Sequence, residues 1–255
     1  MPLDSLTIYA FFLVFVRCSG MMLAAPMFSA ANAPVTVRVY TTLAISCALT
    51  AIVRPTIGAV PSDLYAFALA VANEAVAGLL IGAFFSLVLH AATIAGALVD
   101  LQMGLGLSQA LNPITGVSVT VIAQFKYMLC LIVFLSVDAH HIMLGAFVQS
   151  YQSMPTLSAV MLESIKESLI GLIGHMTLLA LQMAAPVVAV SMVVDAALGL
   201  VSRAVPQMQA LVVGMPAKIL MGMIALSLAL PALVSSVRTG VDMTVDSLAG
   251  VRSPH

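Results

Sequence analysis

The chain has 255 residues, nine Lys and Arg against ten Asp and Glu, and no Trp. Its mean hydropathy is +1.15, far above that of soluble domains, which are roughly half apolar. A net charge near zero without any basic stretch removes nucleic acid from the candidate partners, and the composition reads as all-α and membrane-associated.

Charge-free runs cover 18–37, 75–99, 101–125, 139–162, 168–194 and 219–237. At 1.5 Å rise per residue the longer ones cross a hydrocarbon core of about 30 Å. Periodicity and turn residues predict helices near 6–30, 39–60, 64–99, 117–137, 139–152, 160–202 and 211–236, then an amphipathic tail. In the first helix, Arg17 interrupts the apolar run, Asp4 precedes it and no basic segment leads it, so a cleavable leader is not expected. The turn at Asn32-Ala33-Pro34 leads to Arg38 and the second helix, which closes at Arg54-Pro55. Pro61, Ser62 and Asp63 supply the start signals of the third helix.

That third helix carries Glu74, Gly78 and Gly82 at i, i+4 and i+8, one stripe on which two glycines admit a close backbone. The reading is an acid packed into a helix–helix contact, with an ion or proton site as the alternative. From Asp100 the sequence loses helical character: Met103, Gly104, Leu105, Gly106, Leu107, Asn112, Pro113 and Gly116 form an apolar, glycine-rich stretch without charge. Backbone freed from helix at membrane depth must be buried in protein or line a cavity, and such a loop suits a movable, water-excluding constriction.

Lys126 stands inside the next apolar helix. His140 and His141 follow Asp138, but adjacent helical residues point about 100° apart, so a helix-start or interfacial role is expected in preference to a metal site. Asp195, Gly199 and Arg203 share a stripe ahead of Pro206 and Gln207. Asp195 and Arg203 are about 12 Å apart along a helix, too far for a direct pair. Lys218 lies in the last long apolar helix, and in the tail Val241, Val245 and Leu248 form one face with Asp242 and Asp246 on another. A charge at the centre of a lipid-facing helix costs about 2.5–3.5 kcal/mol, so Arg17, Glu74, Lys126 and Lys218 together would cost on the order of 10–14 kcal/mol in lipid. They are expected to face protein or water. Cys18, Cys47 and Cys130 have no paired spacing and read as small buried hydrophobes. Loop charges give a feeble orientation signal: Arg38 and Arg203 against Arg54, Lys166, Arg238 and Arg252. No hydrolase, zinc-protease or phosphate-loop pattern occurs, so catalytic residues and cofactors are not expected.

Taken in order, several stretches resemble the FliR/SctT family of type III export-gate proteins. They run from Phe15-Val16-Arg17-Cys18-Ser19-Gly20 through Ala25-Pro26-Met27-Phe28-Ser29 and Val37-Arg38. Glu74 with Gly78 and Gly82, Gln102-Met103-Gly104, Asn112-Pro113, and Phe134 through His140-His141, Ser150 and Pro155 follow. The most specific block is Ala185-Pro186, Asp195 to Leu200, Arg203-Ala204-Val205-Pro206-Gln207 and Gly214-Met215-Pro216-Ala217-Lys218. The resemblance covers about residues 5–240. Asn112 stands where many relatives carry Asp, and Met208-Gln209 where Leu and Asn are frequent, which removes a required carboxylate and an Asn-mediated contact from expectation.

The resemblance implies one copy assembled with two other small helical membrane proteins of the gate, beside a larger export-apparatus membrane protein, as helical hairpins in a pseudo-helical channel. It implies a single domain over 1–255, with an N-terminal part to about 160, a hairpin-like part over 161–240 resembling the smaller partner, and the tail 241–255. Met103–Gly116 would plug the channel. Arg17, Arg38, Glu74, Gly78, Gly82, Lys126, Asp195, Gly199, Arg203, Pro206, Gln207 and Lys218 would make subunit contacts or buried polar pairs. The expected function is a flagellar gate subunit in the bacterial inner membrane and basal body, passing unfolded substrates. The alternatives are an injectisome gate subunit and a proton-coupled transporter using Glu74.

Overall fold

Long runs of Leu, Val, Ala, Ile and Met, broken only at Pro, Gly and Asn clusters, leave helix as the one structure that satisfies the backbone internally. The computed structural model describes residues 4–25, 27, 34–58, 60–105, 120–153, 159–204 and 210–250, and among them every regular element is helical. The helices are α1 (Ser5–Ala24), α2 (Val35–Val53), α3 (Leu64–Met103), α4 (Val121–Ser136), α5 (Ala139–Ser153), α6 (Ala159–Ala204), α7 (Ala210–Leu228) and α8 (Leu230–Gly250), with a short 3₁₀ turn at Arg54–Thr56. Hydroxyls inside them mostly bond back to the preceding turn, as in Thr42 to Arg38 O at 2.7 Å and Thr50 to Ser46 O at 2.6 Å, which spares them an unmet polar group in an apolar setting.

Several boundaries differ from the sequence expectation: the first helix stops at Ala24, with Ala25 already extended, where the sequence predicts a run to about 30. The second helix starts at Val35 and yields to the 3₁₀ turn where Pro55 enters, because proline can neither donate to the helix nor clear the preceding turn. The last long helix breaks at Ala229, and α8 then runs unbroken through the segment expected to be a separate tail. Pro231 accounts for this: it denies Ser227 O its i+4 donor. The Ala229 N–H is shared between Ala225 O and Leu226 O, the tightening seen in a last turn. Pro186 and Pro216, by contrast, sit inside continuous helices.

The described chain forms two compact units. One comprises 1–87, 138–173 and 241–255, the other 88–137 and 174–240. In the first, α1 packs on the N-terminal half of α3 through glycines. A Cβ at Gly20 would stand 2.7 Å from Ala75 O, one at Gly82 2.5 Å from Met21 O, and one at Gly78 would run into Arg17 O. Phe84, Phe85, Phe147, Leu13, Val14 and Met21 fill the space around this contact. In the second unit, Gly96 lets α3 meet the backbone of Ala123 at the start of α4, and Gly222 of α7 leaves room for the Met103 side chain. Leu233 and Val237 of α8 and Val187 of α6 complete that core.

Along α8, Val241, Thr244 and Leu248 are the buried positions of its last turns, while Asp242 and Asp246 are exposed. Thr244 therefore takes the place expected of Val245. Cys47 is exposed on α2, whereas Cys18 and Cys130 are buried.

Among the described residues, four helices are long and apolar enough to cross a membrane, and up to six spans result if α4 with α5 and α7 with α8 are each counted as one bent pair. In the most apolar windows of α1 and α3, 56% of residues are buried within the chain, but only 17% in those of α2 and α6. The first two thus build the chain's own core, and the second two offer apolar faces outward.

Candidate functional site

The polar residues expected to avoid lipid fall into four groups. In the first unit, Arg17 of α1 and Glu74 of α3 are 1% and 8% exposed. Arg17 Nε donates to Glu74 Oε2 at 2.5 Å and Nη2 to Oε1 at 3.1 Å, a two-pronged fork. Its third donor, Nη1, reaches Ser150 Oγ of α5 at 2.8 Å, and that hydroxyl donates on to Phe147 O. The guanidinium lies 3.8 Å over the Tyr151 ring. Each of the three Arg17 nitrogens therefore meets an acceptor, and the guanidinium face meets a π-face. Gly78, one turn beyond Glu74, makes this possible by bringing the two helices to backbone contact. Each charge finds its counter-ion inside this chain, so neither needs another subunit to neutralise it.

The second group sits at the root of the central loop. Asp100, fully buried near the end of α3, accepts hydrogen bonds from the Thr120 hydroxyl and from the backbone N–H of Ile122 and Ala123, at 3.3 and 3.0 Å. It thus caps α4 from another helix, satisfying N–H groups that a helix start leaves unpaired and matching its positive dipole end. Gly104 ends α3 with φ 80°, a left-handed conformation that glycine adopts at little cost. Met103, expected in the constriction, is fully buried against Gly222 of α7, and Leu105 is half-buried. Gly106, Leu107, Asn112, Pro113 and Gly116 lie outside the described residues.

Lys126 of α4 forms the third group. It is 1% exposed and its Nζ donates to Met183 O of α6 at 2.8 Å. Pro186 leaves Gln182 O without an i+4 donor, and the ammonium binds the neighbouring carbonyl of the same turn, Met183 O. In the fourth group, Asp195 of α6 pairs with Lys218 of α7 at 2.5 Å. Gly199, Ser202, Gly214 and Met215 line the same groove. Among the described residues a Cβ at Gly199 would meet nothing within 4 Å. Arg203 is exposed in the last turn of α6, where a cation complements the helix dipole. Arg38 lines a cavity with Phe15, Ser19, Met22 and Thr42. Pro206 and Gln207 lie outside the described residues.

At the head of α5, the His140 and His141 ring centroids are 4.1 Å apart, and His141 Nδ1 is 3.4 Å from Asp138 Oδ1. The expected divergence of adjacent helical side chains does not hold here: the two rings lie together at the first turn, and Asp138 precedes the helix with φ 55°. Sequence reasoning missed Asp100, Ser150 and Tyr151 as members of these sites. For Asp100 a signal existed, a lone acid at the end of an apolar helix; its partners twenty residues on carry no pattern that points back to it.

These features define an apolar helical protein made to sit in a membrane or among other apolar helices, with its buried polar groups used for positioning. Comparison with known proteins gives the family. A family model described as bacterial export proteins, family 1, matches residues 8–243. The chain is 34% identical over 245 residues to the flagellar biosynthetic protein FliR of Bacillus subtilis, covering 94% of this chain and 93% of that one. It is 32% identical over 223 residues to the protein of the same name from Caulobacter vibrioides, covering 88% and 89%. The surface presentation of antigens protein SpaR of Salmonella typhimurium is 30% identical over 151 residues, 58% of this chain and 56% of that one. The chain belongs to the bacterial export proteins of family 1.

Proposed function

We propose that this chain is a subunit of the flagellar type III export gate in the bacterial inner membrane, at the basal body, and that its central loop helps to close the channel. The observation that carries the loop's role is the Asp100 cap, which ties the end of α3 to the start of α4 and so holds both roots of the loop. On this reading Met103 anchors the loop, Leu105 and Leu107 exclude water, and Gly104 and Gly106 let it yield to a passing unfolded chain. Asn112, Pro113 and Gly116 belong to the same proposed plug. The partners are the two other small helical membrane proteins of the gate and the larger membrane protein of the apparatus. The outward apolar faces of α2 and α6, and the uncovered Gly199, suit such neighbours.

A flagellar rather than injectisome assignment rests on the match to FliR of Bacillus subtilis, which covers 94% of the chain against 58% for SpaR. A proton-coupled transporter would use Glu74 as a free carrier, yet both its oxygens are engaged by Arg17.

Deleting 104–108 tests the reading. In gates that still assemble, ion leakage across the inner membrane should rise, measured as loss of membrane potential in cells carrying the variant. Normal assembly with an unchanged leak would remove the plug role.

A further inference from the structure

The turn between α4 and α5 carries a cluster that the export reading does not use. One ligand atom from each of Asp138, His140 and His141 lies within 4.8 Å of the other two. The His141 Nδ1 to Asp138 Oδ1 distance is 3.4 Å, close to the roughly 3.3 Å between two ligand atoms that each stand about 2.0–2.1 Å from a tetrahedral zinc ion. His140 Nδ1 is buried and has no hydrogen-bond partner among the described residues. Such a nitrogen is costly to leave unmet, so its lone pair is uncommitted. Asp138 holds φ 55°, a conformation that Asp and Asn tolerate better than other side-chain-bearing residues and that clusters at functional turns. The Asp138 and His141 side chains are each 70% exposed, which gives an ion a path from solvent.

We infer that Asp138, His140 and His141 form a binding site for a divalent transition-metal cation of the zinc type at the start of α5. Two imidazoles and one carboxylate suit zinc or nickel rather than magnesium or calcium, which favour all-oxygen sets. Three protein ligands leave a fourth position for water or a group from a neighbour. A short side-chain rotation that draws His140 toward the other pair completes the set, because the two ring centroids are already 4.1 Å apart, tilted by 36°.

The test is zinc binding by the full-length chain in detergent, measured by competition with a chromogenic chelator, with the visible absorption of bound Co2+ reporting coordination. One zinc per chain is expected, with affinity reduced at least tenfold in His141→Ala and in Asp138→Asn, which keeps a residue suited to the turn. A double His90→Ala/His175→Ala variant should bind as the parent does. No zinc bound by the parent at micromolar concentrations, binding unchanged in His141→Ala, or loss in the double control variant would each overturn the inference.

Discussion

Arg17 and Glu74 lie 57 positions apart in the chain and meet as a buried fork. Burying either alone is expensive, since an unpaired ion in an apolar interior keeps most of its desolvation cost. Arg17→Leu or Glu74→Leu singly should therefore cost about 3–5 kcal/mol of stability. The double replacement should cost clearly less than the sum, because it leaves no orphan charge. Thermal unfolding of the four proteins in one detergent measures the coupling; additive losses would mean that the pair is not energetically linked. Burial of these residues was legible in the sequence, since a charge inside an apolar run must avoid lipid. Their pairing was not, because the helix period says which face a residue occupies and nothing about which distant helix covers that face. The glycine stripe came closest: Gly78 and Gly82 marked the contact surface correctly, and only the identity of α1 as the covering helix was missing.

Among the elements, the end of α3 is tied by hydrogen bonds to the start of α4, although a long stretch of chain separates them. Asp100 supplies the cap that Thr120 does not, as Thr120 uses its hydroxyl to donate to Asp100 and makes no side-chain cap of its own. Asp100→Ala should destabilise the start of α4 by about 1–2 kcal/mol, in the range of a lost N-cap. Amide exchange at Ile122 and Ala123 should accelerate by roughly five- to thirtyfold, the equivalent of that energy. Unaltered exchange there would show that the backbone holds its turn without the carboxylate. Most helix positions were readable from apolar runs between Pro, Gly and Asn clusters. The break at Ala229 was readable in principle from Pro231, but strong apolar flanks on both sides made the run look continuous. The position taken by Thr244 in place of Val245 has a different origin: a helical stripe a few residues wide admits either, and packing decides.

At the scale of the whole molecule, the chain passes back and forth between its two units, with α3, α6 and α8 each contributing to both. No sequence pattern could announce this, because each long helix reads as one uninterrupted run. At 46 residues α6 has a contour of about 69 Å, roughly twice a hydrocarbon core, so lipid alone cannot solvate it. Expressed alone and extracted into detergent, the chain should be polydisperse by light scattering, and co-expression with the gate partners should give one defined species. A monodisperse, stable monomer on its own would contradict the view that protein covers α2 and α6. For the proposed plug role, the cap at Asp100 also sets a geometric limit. Sixteen residues, 104–119, leave and return at one root, and a fully extended chain spans about 3.4 Å per residue. The loop can therefore extend no more than about 27 Å from that root, a tether length that fixes how wide a channel it could ever stopper.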